Sequence, residues 1–183
     1  MTMIIAFVVL SAGIFFFSRS SLRAPGSHGF YRFFGAECVA ALVALNLEVW
    51  FANPLSWYQL ISWFLLIVCI IPLVLGIRSL VSRGKPDARA RKEPSLIAFE
   101  KTSMLVTSGI YRYIRHPMYS SLLLLTWGVF FKDPGWLGVI LAAVATFFWF
   151  ATAIADEQEC IRFFGPQYQE YMKHTRRFLP FLF

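Results

Sequence analysis

The chain has 183 residues, enough for one domain, and is 58% hydrophobic and 18% aromatic with a mean hydropathy of +0.61; this is too apolar for an ordinary soluble domain of that size. A formal charge of +7 does not point to nucleic acid, because the basic residues sit in particular loops between apolar runs, as they do in a membrane protein. Cys38, Cys69 and Cys160 are odd in number and far apart, with no CxxC pair, so neither a disulfide framework nor a zinc site follows.

Met3 to Phe17 is a continuous apolar run, predicted to be a first span. Arg19 and Arg23 follow it and no basic residue precedes it, the reverse of a cleavable signal peptide. This helix is therefore expected to stay and to put the N-terminus outside. Ser18 to Gly29 is a loop with Pro25, Gly26 and Gly29 as turn formers. Phe33 to Ala52 reads as a second helix containing Glu37, Asn46 and Glu48. At about 100° per residue, Glu37 and Glu48 return to nearly one face, either as glue between helices or as groups in a substrate cavity. After the Asn53-Pro54 turn, Trp57 to Ile77 is the clearest span, with Trp57, Tyr58 and Trp63 as interfacial anchors and a kink expected at Pro72.

Residues 78–108 form a polar, basic connection with an apolar patch from Leu96 to Phe99. Connections this long are either solvated surface, here facing lipid headgroups, or functional, here a lid over a site. The next stretch, Ser108 to Tyr119, packs three tyrosines, two arginines and His116 against an apolar run. Such polar density at the mouth of a membrane segment is costly unless it binds something. Met118 to Phe131 covers only about 14 residues, roughly 21 Å as a helix, so the cluster must lie at or just inside the membrane surface. Lys132 to Gly135 is a turn, and Trp136 to Ala155 is a full-length last span. Asp156 to Phe183 is amphipathic, with Gly165-Pro166 separating two short helices.

The expected architecture is an all-α, polytopic membrane helix bundle of about five transmembrane helices plus a C-terminal amphipathic interfacial segment. It forms one domain: residues 1–77 carry three spans, 78–108 a cytoplasmic loop, and 109–183 a binding half. Sixteen of the 17 Lys and Arg fall on one side of this arrangement and only Lys132 on the other. The basic side, which includes the polar cluster and the tail, is then cytoplasmic.

The residues of that side suggest chemistry. His116 exchanges a proton near neutral pH, and Arg112 and Arg115 suit a carboxylate or phosphate. Pro117 fits a first helical turn and places His116 at the cap, where free backbone N–H groups favour an anion. Asp156-Glu157 supply carboxylates for an ammonium or sulfonium. Together these groups could grip a zwitterion; alternatively, Glu157 forms a structural ion pair with Arg112 or Arg115. There is no GxGxxG after a strand, no Walker loop and no HExxH, and the three histidines lie far apart, so no metal is expected. His28 and His174 are expected to be surface or loop residues.

Leu105 to Tyr119 resembles the signature of the isoprenylcysteine carboxyl methyltransferase and phospholipid methyltransferase superfamily. The second half of that signature is matched by Asp156-Glu157, Phe164-Gly165, Tyr168, Tyr171 and Arg177-Phe178-Leu179-Pro180. The resemblance implies an integral membrane enzyme that binds S-adenosylmethionine without a Rossmann domain and methylates a lipophilic acceptor entering from the bilayer. It implies cofactor contacts from Tyr111 or Tyr113, Arg115, His116, Pro117, Tyr119 and Glu157, with His116 and Glu157 as catalytic candidates. Arg177 is a further candidate for an anionic group of the cofactor or substrate, and Glu37 and Glu48 are substrate-side candidates. Ser121 stands where the family often has Gly, and Asp156 shortens the first of a usual Glu pair. The Asn-Phe-x-His pattern of the eukaryotic prenylcysteine enzymes is missing. Two other functions compete: an NADPH-dependent membrane reductase of the sterol-reductase type, and a non-enzymatic membrane scaffold or carrier.

Overall fold

The first apolar run forms α1, Thr2–Ser18, which has no buried residue and packs along the second helix. Its apolar residues surround it on every side, as suits a helix in contact with lipid. The computed structural model describes residues 1–87, 89, 91, 93 and 96–179. Among these residues the regular structure is helical, joined by two isolated β-bridges.

The second helix, α2, spans His28–Asn46, not Phe33 to Ala52. It starts early because the Ser27 hydroxyl accepts a hydrogen bond from Phe30 N at 3.2 Å, an N-cap. It ends early where Asn46 Nδ2 bonds the Leu42 carbonyl at 2.9 Å and the backbone tightens through Val49 N to Asn46 O at 3.2 Å. Glu48 therefore lies beyond the helix and is exposed. The expected common face with Glu37 does not form.

Pro72 lacks an N–H, and the span starting at Trp57 breaks just before it, into α3, Trp57–Val68, and α4, Ile70–Arg83. Ser121 Oγ donates to the Cys69 carbonyl at the break, at 2.7 Å. The departure from Gly at Ser121 thus anchors the kink. The remaining helices are α5, Pro117–Phe130, α6, Trp136–Phe164, and α7, Pro166–His174.

The most extensive pairing is α2 with α6. A Cβ on Gly35 would come within 2.9 Å of the Trp149 ring, so the two backbones approach closely only because this residue is Gly. Trp149 is 1% exposed, and its indole N–H bonds Thr126 on α5 at 3.0 Å. Leu42, Val129, Phe130 and Ala142 form the buried cluster where these helices meet. At the far end from the polar cluster, Lys132 is buried, lying 3.3 Å from the Trp63 ring centroid and 5.1 Å from that of Trp50, and donating to Gln59 Oε1 at 3.1 Å. The exceptional basic residue is therefore locked into a cation–π cage.

Among the described residues two helices, the broken Trp57–Arg83 and Trp136–Phe164, are long and apolar enough to cross a membrane; Thr2–Ser18 and Pro117–Phe130 are apolar but shorter. With 29 residues, α6 is roughly 43 Å long, more than the ~30 Å hydrocarbon core of a bilayer. Its last turns, from Asp156 onward, continue the helix, where two separate tail helices were expected. Gly165, with φ +61°, ends it, and Pro166 opens α7 as anticipated.

Candidate active site

The two halves of the sequence signature meet through the backbone. Ile114 and Arg176 form a parallel bridge in which Arg176 N donates to Tyr113 O at 3.1 Å and Arg115 N to Arg176 O at 2.8 Å; beside it, His116 N donates to Arg177 O at 3.1 Å. Tyr171 on α7 donates its hydroxyl to the Tyr111 carbonyl at 2.6 Å, and Ser120 Oγ donates to the Phe178 carbonyl at 2.8 Å. Gly109 makes the preceding turn possible: its φ is +68°, and a Cβ there would stand 2.8 Å from Arg83 Nη1. Pro180, the end of the motif, lies outside the described residues.

Glu157 lies at the centre of this junction and is 3% exposed. Its Oε1 accepts from Arg115 Nε at 2.9 Å, from Arg177 Nε at 3.1 Å and from His116 Nε2 at 3.2 Å; its Oε2 accepts from Arg177 Nη2 at 2.7 Å. The ion pair foreseen with Arg112 or Arg115 is made by Arg115. Arg115 also donates through Nη1 to the carbonyls of Met172 and Thr175, capping the C-terminal end of α7. One carboxylate thus ties together α5, α6 and the tail.

Asp156, one residue earlier on α6, faces the other way. It lines a narrow cavity of about 80 Å³ between α4, the 84–108 connection, the start of α5, α6 and α7. Tyr119 hydroxyl donates to Asp156 Oδ2 at 3.2 Å, and His116 Nδ1 lies 3.5 Å from the same oxygen. His116 and Tyr119 stack, with ring centroids 5.2 Å apart. Arg91, Glu100, Tyr111 and Tyr168 complete the polar and aromatic lining. Burial works to lower the pKa of His116, but its hydrogen bonds to Asp156 and Glu157 raise it and prevail. Burial pushes the phenols of Tyr111 and Tyr168 up, so both are neutral donors and π faces.

The connection over the cavity is ordered at both ends. Asp87 N donates to Lys101 O at 2.8 Å, Met104 N to Gly84 O at 3.1 Å, and Ser103 Oγ to Lys85 O at 2.8 Å. Buried Arg91 folds back over the Phe163 ring, 4.8 Å from its centroid. Glu100 receives Arg32 Nη1 from α2 at 3.0 and 3.1 Å. His28 is buried, not on the surface: its Nδ1 lies 2.7 Å from Glu159 Oε2, because the Ser27 cap makes it the first residue of α2, against α6. His174, by contrast, is exposed as expected and pairs with Glu170.

Of the residues proposed from sequence, Tyr111, Arg115, His116, Pro117 and Tyr119 line the cavity. Tyr113 does not; it is 50% exposed, because its backbone enters the bridge to Arg176 and turns its side chain outward. Glu157 and Arg177 bind each other behind the cavity wall. Glu37 and Glu48 are not brought to it. Sequence reasoning took Asp156 and Glu157 together as the carboxylates of the site without singling out Asp156 as the inward one, and it did not name Arg91, Glu100 or Cys160 as lining residues. A signal was present: Asp156, Cys160 and Phe164 recur every four residues, one stripe of a helix, and all three line the cavity. Among the described residues, no group of three or more His, Cys, Asp and Glu is placed to hold a metal ion.

The phospholipid methyltransferase family model matches residues 94–167, a range that contains α5 and α6. The chain is 31% identical over 138 residues to protein-S-isoprenylcysteine O-methyltransferase B of Arabidopsis thaliana, covering 74% of this chain and 67% of that protein. It is 30% identical over 131 residues to a probable protein-S-isoprenylcysteine O-methyltransferase of Oryza sativa subsp. indica, covering 70% and 65%. A shorter likeness, 28% over 74 residues, links it to methanethiol S-methyltransferase 1 of Bradyrhizobium diazoefficiens, covering 40% of this chain and 25% of that protein. The chain thus spans about two thirds of the length of the plant relatives. No solved structure matches it.

Proposed function

The chain belongs to the isoprenylcysteine carboxyl methyltransferase and phospholipid methyltransferase superfamily and is a methyltransferase, and from that premise we propose that it uses S-adenosylmethionine to methylate a carboxylate or thiolate on a lipophilic acceptor. The observation that carries this reading is the cavity lining. A carboxylate (Asp156), cations (Arg91, Arg115) and neutral aromatic rings (Tyr111, Tyr168) converge there, a donor set that suits a zwitterion carrying a cationic centre and an aromatic base. When bound, S-adenosylmethionine supplies a methyl group already activated on a sulfonium, so the protein's contribution is alignment and exclusion of water.

In this reading Asp156 faces the positive charge of the donor, and Arg91 and Arg115 face its carboxylate. Tyr119 orients Asp156 through its hydroxyl. Glu157 acts at one remove, as the positioning residue that holds His116, Arg115 and Arg177. An amine acceptor needs a general base, but His116 sits between two carboxylates that favour its protonated form; this supports an acceptor that is already an anion. The relatives' names extend across O- and S-methyl transfer, in keeping with a site whose chemistry asks for an anionic oxygen or sulfur. They also favour methyl transfer over the reductase and scaffold alternatives.

A cavity of about 80 Å³ is far below the ~300–1,000 Å³ of ordinary ligand sites, so the lining segment from Leu96 to Val106 acts as a lid that moves to admit the donor. The five-span reading, with the N-terminus outside and the site on the cytoplasmic side, rests on the charge asymmetry of the loops. Calorimetric titration with S-adenosylhomocysteine tests the assignment. Wild type is expected to bind saturably, and Asp156→Asn, assayed at a temperature where it is folded because the loss of a counter-charge to His116 lowers its melting temperature, to lose about tenfold or more in affinity. Binding by the folded wild type of NADPH and not of S-adenosylhomocysteine would overturn it.

A further inference from the structure

The segment over the cavity is fastened differently at its two ends. Residues 101–104 are held by backbone: Asp87 N donates to Lys101 O, Ser103 N to Lys85 O and Met104 N to Gly84 O, and Pro86 and Thr102 form an antiparallel bridge. Among the described residues, the hydrogen bonds that join the Ala98–Glu100 turn to a helix come from one side chain. Glu100 Oε1 and Oε2 accept from Arg32 Nη1 on α2 at 3.0 and 3.1 Å, and Oε2 also accepts from Ile97 N at 2.8 Å. The buried carboxylate therefore closes its own turn and binds α2 at once. Leu96 and Glu100 both line the cavity, so displacing this turn opens it. The α2 end of the clasp is itself anchored. One helical turn before Arg32, His28 donates its backbone N–H to Glu159 Oε1 at 2.9 Å, sets Nδ1 2.7 Å from Glu159 Oε2, and lies with Nε2 4.0 Å from Glu100 Oε2. Arg32 is thus fixed against α6, the helix that carries Asp156 and Cys160 into the cavity.

We propose that Arg32 is a positioning residue of the methyl-transfer site: by gripping Glu100 it holds the Leu96–Glu100 turn closed over the cavity, and donor entry and product release follow rupture of that pair. The inference rests on the methyltransferase reading and the lid above. Its direction comes from the unequal fastening. The backbone bonds at residues 101–104 support one another, whereas a charge-assisted side-chain pair separates without disturbing any helix. The turn therefore swings about residues 101–104. Separation returns both charges to water, which offsets part of the lost attraction and keeps opening within thermal reach. Closure excludes water from the lining that would face the sulfonium. Arg32 reaches the site only through Glu100, so its loss alters how long the cavity stays shut and not the chemistry within it.

The test uses the full chain in detergent micelles and two rates. One is the release of radiolabelled S-adenosylhomocysteine into an excess of unlabelled compound. The other is the labelling of Cys160, with no ligand present, by a water-soluble maleimide in a Cys38→Ala, Cys69→Ala background. Arg32→Gln is expected to speed both by about tenfold or more, Glu100→Gln by a similar factor, and the double variant no further, because each removes the same pair. Arg32→Lys, which keeps the charge without the fork, is expected to fall between wild type and Arg32→Gln, and it takes the place of Arg32→Gln in the cycle if that variant does not fold. Asn46→Ala, which loses its bond to the Leu42 carbonyl at the other end of α2, is the control: it is expected to melt earlier with both rates unchanged. Rates in folded Arg32→Gln within about twofold of wild type, or effects that multiply in the double variant, overturn the proposal. A change confined to Glu100→Gln does so too, since Glu100 would then act on the ligand itself. If wild type does not bind S-adenosylhomocysteine, the methyltransferase reading fails instead, and the labelling of Cys160 still decides the clasp.

Discussion

Replacing Glu157 by Gln separates a structural role from a ligand-facing one. The substitution preserves shape but removes the charge that Arg115, His116 and Arg177 share, and it puts an amide donor where four donors now converge. Arg115 and His116 have side chains only 9% and 3% exposed, so they lose their counter-charge with little help from water. Arg177, 29% exposed, is partly solvated and its share is discounted. Breaking a buried pair from one side costs ~3–5 kcal/mol, and a chain of this length loses ~2–4 °C per kcal/mol. The melting temperature is therefore expected to fall by about 6–20 °C. Thermal unfolding in detergent, followed by tryptophan fluorescence, measures it. A Glu157→Gln protein that melts like wild type but no longer binds S-adenosylhomocysteine would refute the reasoning: the carboxylate would then face the ligand and not the junction.

Two further outcomes follow from the same geometry. The folded-state pKa of His116 is raised above its ordinary 6.5, burial being outweighed by Asp156 and Glu157. Its contribution to stability is thus fully present below the unfolded pKa and declines as pH rises through the folded value. A series of melting temperatures from mildly acidic to mildly alkaline pH is expected to fall with rising pH, and to fall less steeply in His116→Gln; equal slopes would rule out this linkage. Ser121→Gly removes the 2.7 Å bond to the Cys69 carbonyl and adds a glycine inside α5, for a loss of about 1–2 kcal/mol. Chemical denaturation compared with Ser121→Ala tells the two contributions apart, and an unchanged midpoint in both would show that the kink does not depend on this hydroxyl.

Much of the helical order was legible because it rests on local patterns. Apolar runs, turn formers and prolines marked α1, the start of α3, the Pro72 break, α5 and the Gly165-Pro166 boundary to within a few residues. The errors came where polar side chains act on the backbone at short range. Ser27 and Asn46 moved both ends of α2, and with them His28 into the interior and Glu48 out of the helix. The polar residues after Ala155 suggested a helix end, yet Glu and Gln are as good helix formers as Leu, and a single Asp does not stop the helix. Membrane depth and helix length are separate questions.

By itself the sequence determined an all-helical, lipid-compatible chain and a pair of motifs that belong together, because composition, periodicity and residue spacing are properties of neighbours along the chain. It could not say which member of Asp156-Glu157 faces the cavity. Adjacent residues on a helix point about 100° apart, and the direction of each depends on how α6 is rotated against α2 and α5. Only the tertiary structure decided that, by packing Gly35 against Trp149 and by pairing residues 113–116 with the tail. These contacts bring three cations onto Glu157 and leave Asp156 facing inward.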